Sequence, residues 1–137
     1  MQQIDFCDVR LKPLSAGYAK EMFSVLSDPA IYEFENSAPL SETALRERYK
    51  RLELGAPQDA GEKWLNWVVA NRDDELMGYV QATVYPDGLA CIAYEFNSRY
   101  WRQGFGSTSV RAMRGCSKLC VILNFHSSTY WSIRPSK

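Results

Sequence analysis

The sequence predicts one α+β domain with a mixed, mostly antiparallel sheet and flanking helices. Three observations lead there. Apolar residues recur at helical spacing in two stretches, around 19–26 and 45–52. Three strand-like stretches, 64–72, 77–85 and 89–97, then follow one another across short turn signals. A loop with Gly104 and Gly106 leads into a helical pattern and the apolar run LCVILNF at 119–125. That last unit reads as strand, crossover helix and parallel strand, which should be right-handed. At 137 residues and 46% hydrophobic, the chain suits a single domain over 1–137, and disorder is excluded.

Each element has its own local reason. Residues 8–14, DVRLKPL, set Val9 and Leu11 against Arg10 and Lys12, the alternation of a short strand. Ser15 suits an N-cap, and Ala19, Met22, Phe23 and Leu26 form one helical face, stopped by Asp28-Pro29. A second helix is expected near Ser41, with Leu45, Tyr49 and Leu52 as its buried stripe and Gly55 past its end. Glu42/Arg46 and Glu47/Arg51 are i,i+4 pairs on its solvated face. The tight connection RDDEL (72–76) and Pro86-Asp87-Gly88 are the turns of the strand meander, whose Trp64, Trp67, Tyr79 and Tyr94 read as packing residues. A third helix is expected from Ser107 to Gly115, with Val110 and Met113 inward.

Composition removes several function classes. Sixteen Lys and Arg balance sixteen Asp and Glu, so the charge surplus that a dedicated nucleic-acid binder needs is missing. No apolar run approaches the ~18 residues of a membrane span, and MQQIDFCDVRLKP lacks the pattern of a signal peptide. Cys7, Cys91, Cys116 and Cys120 are scattered, and His126 stands alone. That is the usage of free thiols in a reducing cytoplasm, with no metal site.

The segment 98–115, SRYWRQGFGSTSVRAMRG, carries the chemistry. Glycines just before a helix let several backbone N–H groups point at one place, and the helix start adds unpaired N–H groups and a positive dipole end. This suits a phosphate or pyrophosphate, with Arg102 placed to add a contact. A P-loop would need Lys before Ser107-Thr108, and a dinucleotide fingerprint would need three glycines after an opening strand, so both fit poorly.

The stretch IAYEFNSRYWRQGFGSTSVRAM (92–113) resembles the acetyl-CoA-binding motif of the GNAT superfamily of N-acetyltransferases, and within it the RimJ/RimL-like branch. VRLKPLSAGYAKEMFSVLSDPAIYEF is similar to that branch's opening strand, first helix and Ser-Asp-Pro segment. The tryptophan-rich strand and Met77-Gly78-Tyr79 are similar to its next two strands. The likeness runs over about residues 8–114, and 115–137 stands as an atypical tail.

The resemblance implies a GNAT-like acyl-CoA N-acyltransferase fold and acetyl-CoA as cosubstrate, with no metal. Arg102, Gln103, Gly104, Phe105, Gly106 and Ser107 would cradle the pyrophosphate, and Tyr94, Glu95 and Phe96 would line the pantetheine arm through their backbone. An amine, from a protein N-terminus or a small molecule, would attack the thioester directly, and a strand N–H would stabilise the oxyanion. Glu95 is a candidate general base, acting directly or through water, or else an ordinary strand-end glutamate. Glu33 and Glu35 border the implied acceptor site and either attract its cationic amine or are solvated loop acids. His126 and Tyr130 are chemically competent, but no motif positions them.

One departure from the family bears on function. Too few residues follow Gly106 for the family's second half, which brings an Asn-containing turn, a further helix with a tyrosine acid and a final Gly-Phe segment. The expectation is a C-terminally incomplete fold whose exposed last strand or tail pairs with a second copy, giving a homo-oligomer, a dimer. The alternative to an enzyme is a catalytically impaired CoA-binding or interaction protein.

Overall fold

The computed structural model describes residues 2–32, 38–87, 89–117, 119–120 and 130–135. The chain opens with a hairpin of β1 (Ile4–Phe6) and β2 (Val9–Pro13). Only the second of these strands is visible as alternation in the sequence. A 3-10 turn, Ala16–Tyr18, leads into α1 (Ala19–Leu26). Ser15 caps that turn through its backbone and makes no side-chain cap bond. The Glu53 carboxylate instead accepts from the N–H of Ala16.

Helix α2 (Glu42–Glu53) begins as expected, because the Ser41 hydroxyl accepts from the N–H of Ala44 at 3.0 Å. It ends with the N–H of Gly55 bonded to the Leu52 carbonyl. Strands β3 (Lys63–Ala70), β4 (Leu76–Val84) and β5 (Ala90–Phe96) form the meander. The β3–β4 turn is closed by Asn71, whose Oδ1 accepts from the N–H groups of Asp73 and Glu75. Asp74, in that turn, pairs with Arg10 and Lys12 of β2.

Strands β1 to β5 are antiparallel neighbours in chain order. Alternation along them supplies two cores, one on each face. Leu11, Trp67, Val69, Val80, Ile92 and Phe96 face α3 (Phe105–Ser117), which inserts Val110 and Met113. Val68, Ala70 and Leu76 face α1 and α2, which insert Met22, Leu26, Leu45 and Tyr49. The helical and strand periods of the sequence therefore predict the core correctly.

The region after α3 differs from expectation. The helix starts at Phe105, two residues early, and continues through Gly115 to Ser117. Of the expected strand 119–125, the described part is β6 (Leu119–Cys120). The last residues, to which the sequence assigned no element, supply β7 (Tyr130–Pro135), which pairs antiparallel with both β5 and β6. Two strands antiparallel to a shared neighbour are parallel to each other, so β5 and β6 keep the expected direction with β7 between them. The chain's own tail thus pairs with β5 from Ala90 to Ala93, and the strand expected at 119–125 lies one place further out.

Candidate functional site

Strand β5 ends where two sites meet. Its last residues alternate: Tyr94 and Phe96 point to the α3 face, ring centroids 5.8 Å apart, while Glu95 points to the α2 face opposite Tyr79 of β4. The ladder to β7 stops at Ala93, before these three residues.

Beyond Phe96 the chain is fixed by side chains rather than by a sheet. The N–H of Asn97 adds one more bond to Met77 of β4, at 2.9 Å. The Asn97 side chain donates to the Val25 carbonyl of α1 at 3.1 Å. Asp28 accepts from the N–H groups of Ser98 at 2.7 Å and Ala30 at 3.1 Å. Those bonds, the Ser98 ones foremost, hold its carboxyl below the usual carboxylate range. After the turn Ser98–Tyr100, the Trp101 indole donates to the Phe96 carbonyl at 2.8 Å, folding the loop back onto β5.

The loop backbone is unusual in two places. Arg102 has φ 62° and Gly104 φ 81°, both in the left-handed region. Gly104 then begins α3: its carbonyl accepts from the N–H of Thr108 at 2.9 Å, the first helical bond. The N–H groups of Phe105, Gly106 and Ser107 precede that bond and have no helical acceptor. A Cβ on Gly104 would meet no atom within 4 Å, so the space above the loop is open. A Cβ on Gly106 would lie 2.7–2.8 Å from ring carbons of Tyr94, so glycine lets the helix start sit on that ring without the ring having to move. These features fit the pyrophosphate of a coenzyme A thioester: free N–H groups, an open approach and the exposed side chain of Arg102.

Glu95 opens onto a cleft of about 430 Å³ between the sheet and α2. Asn66, Tyr79, Gln81 and Glu95 line its floor, and Leu45, Arg48, Tyr49, Arg51 and Leu52 of α2 line its wall, with Tyr32 at one side. Burial, and after it the charge of Glu95, pushes the Tyr32 phenol up to about 12. Burial likewise raises Tyr49, and burial with the Glu95 charge and a hydrogen-bonding contact to it raises Tyr79 well above the ordinary phenol value. All three phenols are therefore neutral at physiological pH, and of them Tyr79 makes a hydrogen-bonding contact to the Glu95 carboxylate.

A family model described as "Acetyltransferase (GNAT) domain" matches residues 8–126. The chain belongs to the GNAT acetyltransferase family. Solved GNAT structures share its fold at low identity. RimL, the ribosomal L7/L12 α-N-protein acetyltransferase, superposes with a TM-score of 0.67 at 12% identity, over 96% of this chain and 90% of RimL. The ribosomal-protein-S5-alanine acetyltransferase of Vibrio fischeri gives 0.63 at 14% identity, over 85% of this chain and 69% of that one. A GNAT-family acetyltransferase from Bacillus anthracis gives 0.56 at 14% identity, over 81% of this chain; the match spans 63% of that protein's length. The RimJ/RimL-like resemblance read from the sequence agrees with the first two. No curated protein matches the chain by sequence.

Within this GNAT fold, the expected loop residues Arg102 to Ser107 and the strand end Tyr94 to Phe96 are brought together. Glu33, Glu35 and His126 lie outside the described residues. Tyr130 enters β7 opposite Ala93. Among the described residues no group of three or more His, Cys, Asp and Glu gathers to hold a metal, and no helix is long and apolar enough to cross a membrane. The cleft residues Tyr32 and Arg48 are absent from the sequence reading, and Tyr49 and Tyr79 enter it only as packing. The stripe Leu45, Tyr49, Leu52 held a signal for Arg48, which occupies the i+3 place of that helical face. Glu42 does pair with Arg46, at 3.0 Å, whereas Glu47 pairs with Lys50 at 2.8 Å, leaving Arg51 to the cleft.

Proposed function

We propose that the chain is an acetyl-CoA-dependent N-acetyltransferase acting on a primary amine. The observation that carries this is the position of β5's end between two sites on opposite faces. The loop and α3 start on one face suit a pyrophosphate, and the Glu95 cleft on the other suits an amine. Arg102 and the N–H groups of Phe105, Gly106 and Ser107 would hold the pyrophosphate, and the backbone of Tyr94 to Phe96 would lie along the pantetheine arm. When bound, acetyl-CoA supplies an acetyl thioester whose C–S bond breaks as the new N–C bond forms. Glu95 would take the proton of the incoming ammonium, directly or through one water, so that a neutral amine attacks. Donation from the neutral Tyr79 phenol would hold that carboxylate in place. A cytoplasmic location, and self-pairing through the edge of β6, complete the reading.

Calorimetry and a thiol-release assay test it. Binding of acetyl-CoA and CoA, with thiol release in the presence of amines, supports the enzyme. Binding without release against a broad amine panel supports the non-catalytic CoA-binding reading. Absence of binding by the folded protein overturns both.

A further inference from the structure

Helix α2 carries four cationic side chains close together, and they divide in two. Arg46 and Lys50 are neutralised along the helix by Glu42 and Glu47. Arg48 and Arg51 form no ion pair among the described residues, and these are the two that line the cleft. Glu95 lines the same cleft from the floor, yet it is in salt-bridge contact with neither. Opposite charges are thus held apart across a volume of about 430 Å³. A second observation points to a missing ligand. Tyr49, 4% exposed and one turn from Leu45 on the cleft wall, buries a hydroxyl with no hydrogen-bond partner among the described residues. A buried hydroxyl left unpaired is costly, and a bound oxygen would satisfy it.

We propose that the acceptor is a primary amine that also carries a carboxylate, with the amine toward Glu95 and the carboxylate toward Arg48 and the Tyr49 hydroxyl. This deepens the reading of the cleft as the acceptor site and rests on it. Arg48 offers the planar two-donor fork that suits a carboxylate, and a phenol beside it adds a third donor. Arg51 extends the positive wall toward the rim. The same wall disfavours a polyamine, whose further ammonium groups would face two arginines, with Glu95 the one carboxylate that lines the cleft among the described residues. Two sources share the required chemistry: a free amino acid, and a peptide whose N-terminal residue is Asp or Glu.

The test begins with binding in the absence of acetyl-CoA, so that it does not depend on turnover. Calorimetry would compare glutamate, glutamate diamide, an amidated peptide beginning with Glu, and spermidine. Binding of either carboxylate-bearing amine, at least about tenfold tighter than the diamide and spermidine, is the expected result. The free amino acid binding better names a small-molecule acceptor, and the peptide binding better names an N-terminus. Arg48→Gln should weaken that ligand by about 10- to 100-fold, and Tyr49→Phe by several-fold, each without loss of folding by circular dichroism. Spermidine or the diamide binding as well as the carboxylate ligands, or Arg48→Gln leaving them unchanged, overturns the proposal. If carboxylate amines bind but acetyl transfer never occurs, the acetyltransferase reading fails and the cleft assignment stands. If acetyl-CoA is turned over on polyamines alone, the enzyme stands and the carboxylate assignment fails.

Discussion

The Asp28 carboxylate accepts a hydrogen bond from the backbone N–H of Ser98 at 2.7 Å, joining the end of α1 to the turn that launches the glycine loop. A short polar link across 70 positions fixes where that loop leaves the sheet. Replacing the carboxylate removes its bonds to Ser98 and Ala30. Asp28→Ala should cost about 1–3 kcal/mol by urea denaturation at neutral pH. The Asp28 carboxyl is held below its unfolded value, so its contribution is fully present above about pH 4 and is lost as pH falls through the depressed folded value. The gap between wild type and variant should therefore close in strong acid. An undiminished gap there refutes the pairing.

Gly106 and Tyr94 test the seating of α3 on β5. Gly106→Ala places a methyl against the Tyr94 ring and should destabilise the fold by about 1–3 kcal/mol. Combined with Tyr94→Leu, most of that loss should vanish, because the clashing ring is gone. Strictly additive losses in the double-mutant cycle would show that the two residues do not meet.

Gly104 is constrained by its backbone and by nothing around it. A side chain at φ 81° costs about 1–2 kcal/mol, but no neighbour obstructs it. Gly104→Val should fold with that loss and bind CoA at least about tenfold more weakly, since its branched side chain fills the approach to the free N–H groups. Unchanged CoA affinity in the folded variant would falsify the assigned cradle.

Glu95→Gln keeps the backbone and volume of the strand end and removes only the base. Turnover should fall by about 10²–10⁴-fold. CoA affinity should stay within about twofold, because the carboxylate faces the cleft on the side of the sheet away from the loop. Full turnover would place the general base elsewhere.

The tyrosine cluster sets an alkaline limit. Tyr32 titrates at about 12, and Tyr49 and Tyr79 are raised as well. A phenol whose folded value exceeds its unfolded value of about 10 stabilises fully below pH 10 and loses that contribution as pH rises through the folded value. Stability should hold to about pH 10 and then fall, and an ultraviolet titration should show late-ionising tyrosines. In Glu95→Gln the Tyr32 midpoint should move down, since the second largest of its three raising causes is removed; an unmoved midpoint would separate the two residues.

Much of this fold was legible in residue order because its determinants are local. Ser41 before α2, the tight connection between β3 and β4 and the inward faces of α1 and α2 each act within a few positions. Val9 and Leu11 fall in the core for the same reason: period-two alternation names a face wherever the strand sits. The glycine loop was legible as well, since free N–H groups before a helix are a property of sequential backbone.

Three features were not legible, and each depends on distant partners. β1 is a three-residue strand defined by pairing with β2. β7 was hidden in the tail because a strand's place in a sheet depends on which edge is open, and β5 offered one only up to Ala93. The cleft was hidden because Arg48 and Tyr49 on α2, Tyr79 on β4 and Glu95 on β5 are ordinary residues until two layers face each other.

Residue order by itself therefore determined the α+β class, the two-faced core and the phosphate-suited loop, because helical and strand periods and backbone N–H placement are short-range. Only the tertiary structure decided that Glu95 faces away from that loop, into a cleft walled by Arg48 and ringed with neutral phenols. Charge and burial act through space, so the chemistry of Glu95 is set by neighbours far from it in sequence.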